Sequence, residues 1–134
     1  MHQQEPLSIS SLQQRLREFA AERDWDQFHS PKNLAMALIV EAAELVEHFQ
    51  WLSEDQSRSL AVDDEGDAKS VAKHQEIRHE MADIMVYLVR LADKLGIDLM
   101  AAVAEKIELN EAKYPAARVR GRADKYTAYQ DESQ

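Results

Sequence analysis

The chain has 134 residues, of which 45% are hydrophobic, with three glycines, three prolines and no cysteine. So few turn-forming residues favour a few long helices over the many turns of an all-β fold. The lack of cysteine excludes disulfides, thiolate metal sites, iron–sulfur clusters and cysteine nucleophiles. The formal net charge of −9 argues against a surface for duplex nucleic acid, because phosphate contacts need clustered lysine and arginine.

The length predicts one all-α domain over residues 1–126, followed by a flexible tail at 127–134. The first residues lack the charged and then apolar pattern of a secretion signal, so the expected location is the cytoplasm. The longest apolar run, Leu34–Val40, is much shorter than the roughly 20 residues that cross a bilayer, which predicts no membrane association.

The first two predicted helices are separated by a short connection. The first covers about Ser8–Arg23, and the second begins after Ser30, which is a suitable N-cap for Pro31 at the first helical position. The second helix continues to about Leu52. Because apolar residues cover nearly its whole circumference, it is expected to be buried on more than one side. A four-helix domain of this size cannot cover such a helix alone, which predicts self-association.

Two more helices follow a long polar connection. Residues 53–73 are rich in charge and predict a solvated, partly mobile segment. The third helix, about Gln75–Leu95, has apolar residues at spacings of four and three, which is typical of a bundle helix. Asp98 caps the fourth helix, which continues to about Tyr114 and is stopped by Pro115.

Two pairs of carboxylates lie on the second and third predicted helices: Glu41 with Glu44, and Glu80 with Asp83. The spacing within each pair is three positions, so both side chains lie on one flank of their helix, one turn apart. Glu41 falls inside the apolar stripe of its helix, where a carboxylate must be protonated, paired with a cation or bound to metal. Four such acids on packed helices would raise one another's pKa unless divalent cations neutralise them. Oxygen ligands suit Mg²⁺ or Mn²⁺, and ordinary solvated acids are the alternative.

The fourth helix presents a polar stripe formed by Lys106, Asn110 and Lys113. The two lysines could hold phosphate oxygens, and the asparagine could orient a phosphate or a sugar. A solvated helix face would have the same spacing. The sequence contains no glycine-rich phosphate loop and no Ser-His-Asp arrangement, which removes P-loop and acyl-enzyme mechanisms.

Aromatic residues provide candidate surfaces for a nucleobase. Trp25, Trp51 and Tyr87 have flat faces on which a base could stack, although core aromatics would look the same in sequence. His29 lies just before the cap of the second helix. It could donate a hydrogen bond to a base or a phosphate, or it could be an ordinary loop histidine.

Four segments of the chain together resemble the all-α nucleotide pyrophosphohydrolases, the MazG-like proteins, and within them the dCTP pyrophosphatase branch. The resemblance covers roughly residues 10–126. The segments that carry it are FAAERDWDQFHSPKNLAMAL (Phe19–Leu38), EAAELVEHFQW (Glu41–Trp51), EIRHEMADIMVYLVRLAD (Glu76–Asp93) and KIELNEAKYP (Lys106–Pro115).

The resemblance implies a four-helix MazG-like bundle that forms dimers, or tetramers built from dimers. It also implies a role for each matching residue. The expected Mg²⁺ ligands, with Mn²⁺ as a substitute, are Glu41, Glu44, Glu80 and Asp83. The residues expected near the phosphates are Lys106 and Asn110, continued by Lys113 and Tyr114. Those expected to enclose the base and sugar, partly across a subunit interface, are Trp25, His29, Trp51 and Tyr87.

The implied reaction is Mg²⁺-dependent hydrolysis of a nucleoside triphosphate, with dCTP or a modified dCTP favoured, to the monophosphate and pyrophosphate. Glu41 or Glu44 would take a proton from the attacking water, and Lys106 would stabilise the leaving pyrophosphate. Phosphoribosyl-ATP pyrophosphohydrolase and a non-catalytic helical module are the alternatives. One departure from the family pattern is the 35 residues between Glu44 and Glu80, which predict an enlarged loop beside an intact metal site.

Overall fold

The computed structural model describes residues 6–60 and 68–123, and every regular element in these ranges is helical. The predicted all-α class is therefore confirmed. The helices are α1 (Ile9–Glu22), a 3₁₀ turn η1 (Asp26–Phe28), α2 (Pro31–Glu47), α3 (Glu54–Ser59), α4 (Ala68–Leu95), α5 (Leu99–Lys113) and α6 (Ala116–Val119). Within the described ranges, no helix combines the length and the apolarity that crossing a bilayer requires.

The chain divides into two compact units, Met1–Gly96 and Ile97–Gln134. The first unit contains α1 to α4, and the second contains α5 and α6. Gly96 ends α4 with a φ of +66°, a left-handed conformation that glycine adopts without a steric penalty. A single domain over residues 1–126 stays a prediction, and the predicted tail at 127–134 lies outside the described residues.

The predicted helix starts are confirmed by their caps. The Ser30 side chain accepts a hydrogen bond from the backbone N–H of Asn33 at 3.1 Å, with Pro31 as the first residue of α2. The Asp98 carboxylate accepts from the backbone N–H of Ala101 at 3.0 Å at the start of α5. Each cap satisfies a backbone donor that has no partner inside its own helix.

The prediction of an irregular connection over residues 53–73 is wrong at both ends. Ser53 and Gln56 form a capping box, in which each side chain accepts from the other residue's backbone N–H, and this starts the short helix α3. At the other end α4 begins at Ala68, because the residues before Gln75 are mostly good helix formers. The acidic residues 61–67 lie outside the described residues. The second helix also ends earlier than predicted, at Glu47 instead of Leu52.

Packing of α2 against α4 is the main contact of the first unit, and α1 also packs on α4. Leu34 and Val89, on these two long helices, are 1% and 0% exposed. The other buried apolar residues are Ala20, Ile77 and Ala92. This core fixes α2 beside α4 and thereby fixes the relative positions of the side chains that leave its edge.

In the single chain α2 is buried on one side only, so its expected burial on more than one side depends on the predicted self-association and stays a prediction. Leu34 is its one buried residue in the described ranges. Met36, Ile39, Val40 and Val46 are each more than half exposed, at 56%, 63%, 54% and 56%. One helix, α4, covers only one side of α2, so the remaining apolar face is left at the surface of the protomer.

Replacing Leu34 with alanine should destabilise the protein by about 2–5 kcal/mol, because it removes a fully enclosed side chain and leaves a cavity between α2 and α4. Chemical denaturation followed by circular dichroism measures this change. Lys32→Ala, at an exposed position of the same helix, is the matched control and should change stability by less than about 0.5 kcal/mol. Equal losses in the two variants would contradict the described core.

Candidate active site

Three carboxylates from two helices meet at the edge of the α2–α4 contact. Glu41 and Glu44 extend from α2 and Glu80 from α4, and one oxygen of each lies within 4.8 Å of the others. The spacing of three residues on α2 places its two acids one turn apart on the flank that faces α4. We call these three residues the acidic cluster.

The acidic cluster has a strong effect on the protonation of Glu41. Burial raises the pKa of Glu41 from 4.5 to about 7, together with hydrogen bonding to Glu80 and Glu44 and the negative charges of Glu44 and Asp83. The physical cause is the poor solvation of a carboxylate beside other carboxylates. Asp83, which is itself exposed, is therefore close enough to add its charge to the cluster.

Among residues 6–60 and 68–96, no lysine, arginine or histidine forms an ion pair with the acidic cluster. The Oε2 atom of Glu80 is buried and accepts no hydrogen bond from any described residue. The two cations that follow on α4, Arg90 and Lys94, are engaged elsewhere, with Asp26. A buried carboxylate oxygen without a partner carries a large desolvation cost. Clustered oxygen ligands with an unsatisfied atom fit a hard divalent cation.

A pocket of about 340 Å³ lies between α1, η1 and α4. Phe19 and Trp25 form one wall, with their rings 5.8 Å apart in an edge-to-face arrangement. Asp83 contributes a carboxylate to the lining. The full lining is Leu16, Phe19, Trp25, His29, Asp83, Val86, Tyr87 and Arg90. The pocket is mostly apolar with a few polar groups, which is the usual character of a small-molecule site.

Tyr87 connects the pocket with the acidic cluster. It lines the pocket, and burial together with the negative charges of Glu41, Asp83 and Glu44 raises the pKa of its hydroxyl. The same tyrosine therefore contacts the pocket and experiences the field of the carboxylates. An aromatic pocket and an acidic site are thus adjacent within the first unit.

Arg90 fixes η1 against α4. It is only 5% exposed, and it donates to Asp26 Oδ1 at 2.6 Å and to His29 Nδ1 at 3.2 Å. Lys94 donates to the same oxygen of Asp26. The hydrogen bond from Lys94, with further attraction from Lys94 and Arg90, lowers the pKa of Asp26. The loop that carries Trp25 and His29 is therefore held in place by partly buried hydrogen bonds from Arg90 and an exposed one from Lys94.

The structure brings only some of the predicted residues together. Trp25, His29 and Tyr87 share the pocket with Asp83, whereas Trp51 lies in the turn after α2, is 87% exposed and is absent from the pocket lining. The predicted phosphate residues belong to the second unit. Lys106 and Asn110 are exposed on α5, Lys113 is half-buried, and Tyr114 caps the helix. The roles given to all these residues stay predictions.

Sequence analysis missed the parts played by Phe19, Asp26 and Arg90. The one available signal was the four-residue spacing of Arg90 and Lys94, which places two cations on one face of α4. Their partner, Asp26, is 64 residues before Arg90, and no local pattern connects positions so far apart.

The chain is similar to several characterised proteins. A model described as MazG-like family matches residues 36–128. The chain is 46% identical over 110 residues to dCTP pyrophosphatase 1 of Rattus norvegicus and 40% identical to that of Homo sapiens. Each alignment covers 82% of this chain and 61% of the relative, so the chain spans about three-fifths of their length. A crystal structure of a pyrophosphatase from Archaeoglobus fulgidus is 35% identical with a TM-score of 0.68, covering 86% of this chain and 99% of that one.

The raised pKa of Glu41 predicts how stability depends on pH without metal. The folded protein holds this proton more tightly than the unfolded chain, so the resulting stabilisation is complete below about pH 4.5 and is lost as the pH rises through about 7. In EDTA, Glu41→Gln should therefore flatten the fall in melting temperature between these values. Glu47→Gln, an exposed position of α2, is the control and should keep the wild-type slope. Parallel profiles for all three proteins would contradict the described repulsion.

Proposed function

The chain belongs to the MazG-like family, and from this membership and the acidic cluster we propose that it is a Mg²⁺-dependent nucleotide pyrophosphohydrolase. Its proposed substrate is dCTP or a modified dCTP, and its products are the monophosphate and pyrophosphate. The observation that carries the proposal is the meeting of Glu41, Glu44 and Glu80, with a buried Glu80 oxygen that has no hydrogen-bond partner among the described residues. The names of the relatives support the choice of substrate.

The proposed metal is Mg²⁺, with Mn²⁺ as a substitute. Glu41, Glu44, Glu80 and Asp83 would hold it, and their oxygen-only chemistry fits these ions. When bound, Mg²⁺ would supply positive charge against the phosphoryl oxygens and lower the pKa of the attacking water. The buried, unpartnered Oε2 of Glu80 supports this assignment, because it lacks the partner that a buried carboxylate oxygen needs.

The chain's own residues would bind and orient the substrate. Trp25 and Tyr87 line the pocket and offer aromatic faces for a pyrimidine base. Asp83 lines the same pocket and affects the pKa of Glu41, which supports a substrate placed with its base in the pocket and its phosphates towards the acidic cluster. Glu41 or Glu44 would accept the proton of the attacking water.

The second unit supplies the remaining proposed contacts. Lys106 would stabilise the leaving pyrophosphate, since a lysine ammonium is a suitable partner for phosphate oxygens. Asn110, Lys113 and Tyr114 would also contact the phosphates. These roles follow from the family resemblance of the KIELNEAKYP segment. We keep the cytoplasmic location predicted from the sequence as part of the proposal.

The experiment that tests this function measures pyrophosphate released from dCTP, with Mg²⁺ and with EDTA. We expect release only with the metal, and a preference for cytosine deoxynucleotides within a panel that includes the other nucleotides and phosphoribosyl-ATP. Hydrolysis in ¹⁸O-labelled water would locate the attacked phosphorus, because the label enters the monophosphate or the pyrophosphate. Binding of dCTP without turnover would favour the non-catalytic module and contradict the proposal.

The same dCTP assay can be applied to two variants in which a carboxylate is replaced by the amide of the same shape. Glu80→Gln and Asp83→Asn should each lower kcat/KM by at least about a hundredfold, because each removes a negative oxygen from the proposed metal site. Glu76→Gln is the matched control, one turn before Glu80 on α4 and with a largely exposed side chain. Circular dichroism confirms that the helices remain. Near wild-type activity in Glu80→Gln would remove this carboxylate from the mechanism.

We also propose that the protein is a homo-oligomer, a dimer at least and by resemblance a tetramer. The support is the exposed apolar face of α2, together with Met81 and Met85 on α4, which are 58% and 46% exposed in the single chain. Exposed large apolar residues on two neighbouring helices favour an interface with another chain. Light scattering should give a multiple of the 15.4 kDa chain mass, and Ile39→Asp should reduce it while the helical content persists. A monomeric mass for the wild-type protein would contradict this proposal.

A further inference from the structure

Arg90 contacts His29 in a way that determines which ring nitrogen of the histidine carries a proton. The Nε–H of Arg90 donates to His29 Nδ1 at 3.2 Å, while its Nη2 donates to Asp26 Oδ1 at 2.6 Å. An arginine side chain is a permanent donor and cannot accept a hydrogen bond. The Nδ1 atom of His29 must therefore present its lone pair, and in the neutral ring the proton lies on Nε2.

The surroundings of His29 also oppose a second proton on the ring. Burial and the positive charges of Arg90 and Lys94 lower the pKa of His29, and the charge of Asp26 acts in the opposite direction. Asp26 is already bonded to both cations, so its charge is largely compensated. His29 is thus a neutral imidazole at neutral pH, with Nε2–H as its one donor.

The location of His29 makes its Nε2–H available to a ligand. His29 lines the pocket beside Trp25 and Tyr87, and its Nδ1 is already occupied by Arg90, so only Nε2 is available to a ligand. A neutral N–H suits an uncharged acceptor, such as a base carbonyl or a sugar oxygen. A phosphate would favour a charged imidazolium, because charge-assisted hydrogen bonds are stronger.

We propose that Arg90 is a positioning residue that holds His29 as the Nε2–H tautomer, so that His29 donates a hydrogen bond to a neutral acceptor on the base or sugar of the bound nucleotide. The inference rests on the proposed function for its ligand, and on the geometry of the first unit for its tautomer. It also selects between the two uses of His29 that the sequence left open, since it assigns the residue to the nucleoside and not to the phosphates.

The tautomer is measured in the free protein by long-range ¹H–¹⁵N correlation of the histidine side chains at pH 7, with His29→Gln identifying the signals. We expect a protonated Nε2 and an unprotonated Nδ1 at His29. A protonated Nδ1, or a ring protonated on both nitrogens, would overturn the inference. This spectrum needs no change at Arg90, so it decides the tautomer even if variants of that buried residue fail to fold.

The functional half is tested by steady-state kinetics with dCTP and Mg²⁺. Arg90→Lys keeps the charge but loses the forked geometry, and it should raise KM about three- to tenfold with little change in kcat, as expected for a lost hydrogen bond to a non-reacting group. Arg78→Lys is the matched control, because Arg78 is exposed on the same helix and donates to Gln75, away from His29, so this variant should leave KM unchanged. A fall in kcat alone, or equal effects of the two variants, would contradict the inference.

Two variants of His29 separate the ring nitrogens. The amide nitrogen of glutamine lies near the place of Nε2, whereas that of asparagine lies near Nδ1, so KM should rise less in His29→Gln than in His29→Asn. The reverse order would overturn the assignment of the donor. If the wild-type protein hydrolyses no triphosphate, the proposed function fails and the nucleotide contact with it, whereas an unexpected tautomer in an active enzyme contradicts this inference alone.

Discussion

The packing of α2 against α4 places carboxylates side by side, and the rest of the site depends on this arrangement. The repulsion between these carboxylates costs free energy. The core around Leu34 and Val89 fixes the two helices side by side, and this places Glu41, Glu44 and Glu80 at one edge. Burial and neighbouring negative charge raise the pKa of Glu41 to about 7. A fold that only needed stability would not concentrate acids there, because apolar residues of similar size would pack without that cost.

The positive charges of α4, unlike the carboxylates of the acidic cluster, have partners of opposite charge. Arg90 is nearly as buried as the core, yet it is hydrogen-bonded to Asp26 and His29. Asp93, one turn after Arg90 on α4, accepts a hydrogen bond from Arg17 on α1 at 2.7 Å. This hydrogen bond lowers the pKa of the Asp93 carboxyl. One face of α4 therefore holds α1 and η1 through ion pairs, while Glu80 on the same helix has an oxygen without a partner among the described residues. This contrast agrees with the proposal that the acids bind a ligand.

Local signals explain how much of this could be predicted from the sequence. Ser30, Pro31 and Asp98 mark helix starts because their side chains act on their own neighbours, and the three-residue spacing of the acids fixes their flank. The contact of Arg90 with His29 spans 61 residues, and nothing near either residue reveals it. The short helix α3 was not predicted, because the charge-rich composition of this segment suggests a loop. The capping box of Ser53 and Gln56 is the local signal that indicates a helix start. The partner of the exposed apolar face of α2 cannot be identified from the sequence, because apolar periodicity does not show whether a helix of the same chain or of a second chain covers it.

A crystal structure of the protein soaked with Mg²⁺ and a non-hydrolysable dCTP analogue tests the central claim most directly. The account predicts metal density bonded to oxygens of Glu41, Glu44 and Glu80 at about 2.0–2.1 Å, with the base beside Trp25 and Tyr87. Carboxylates that point apart into solvent, with the nucleotide bound elsewhere or not at all, would contradict it.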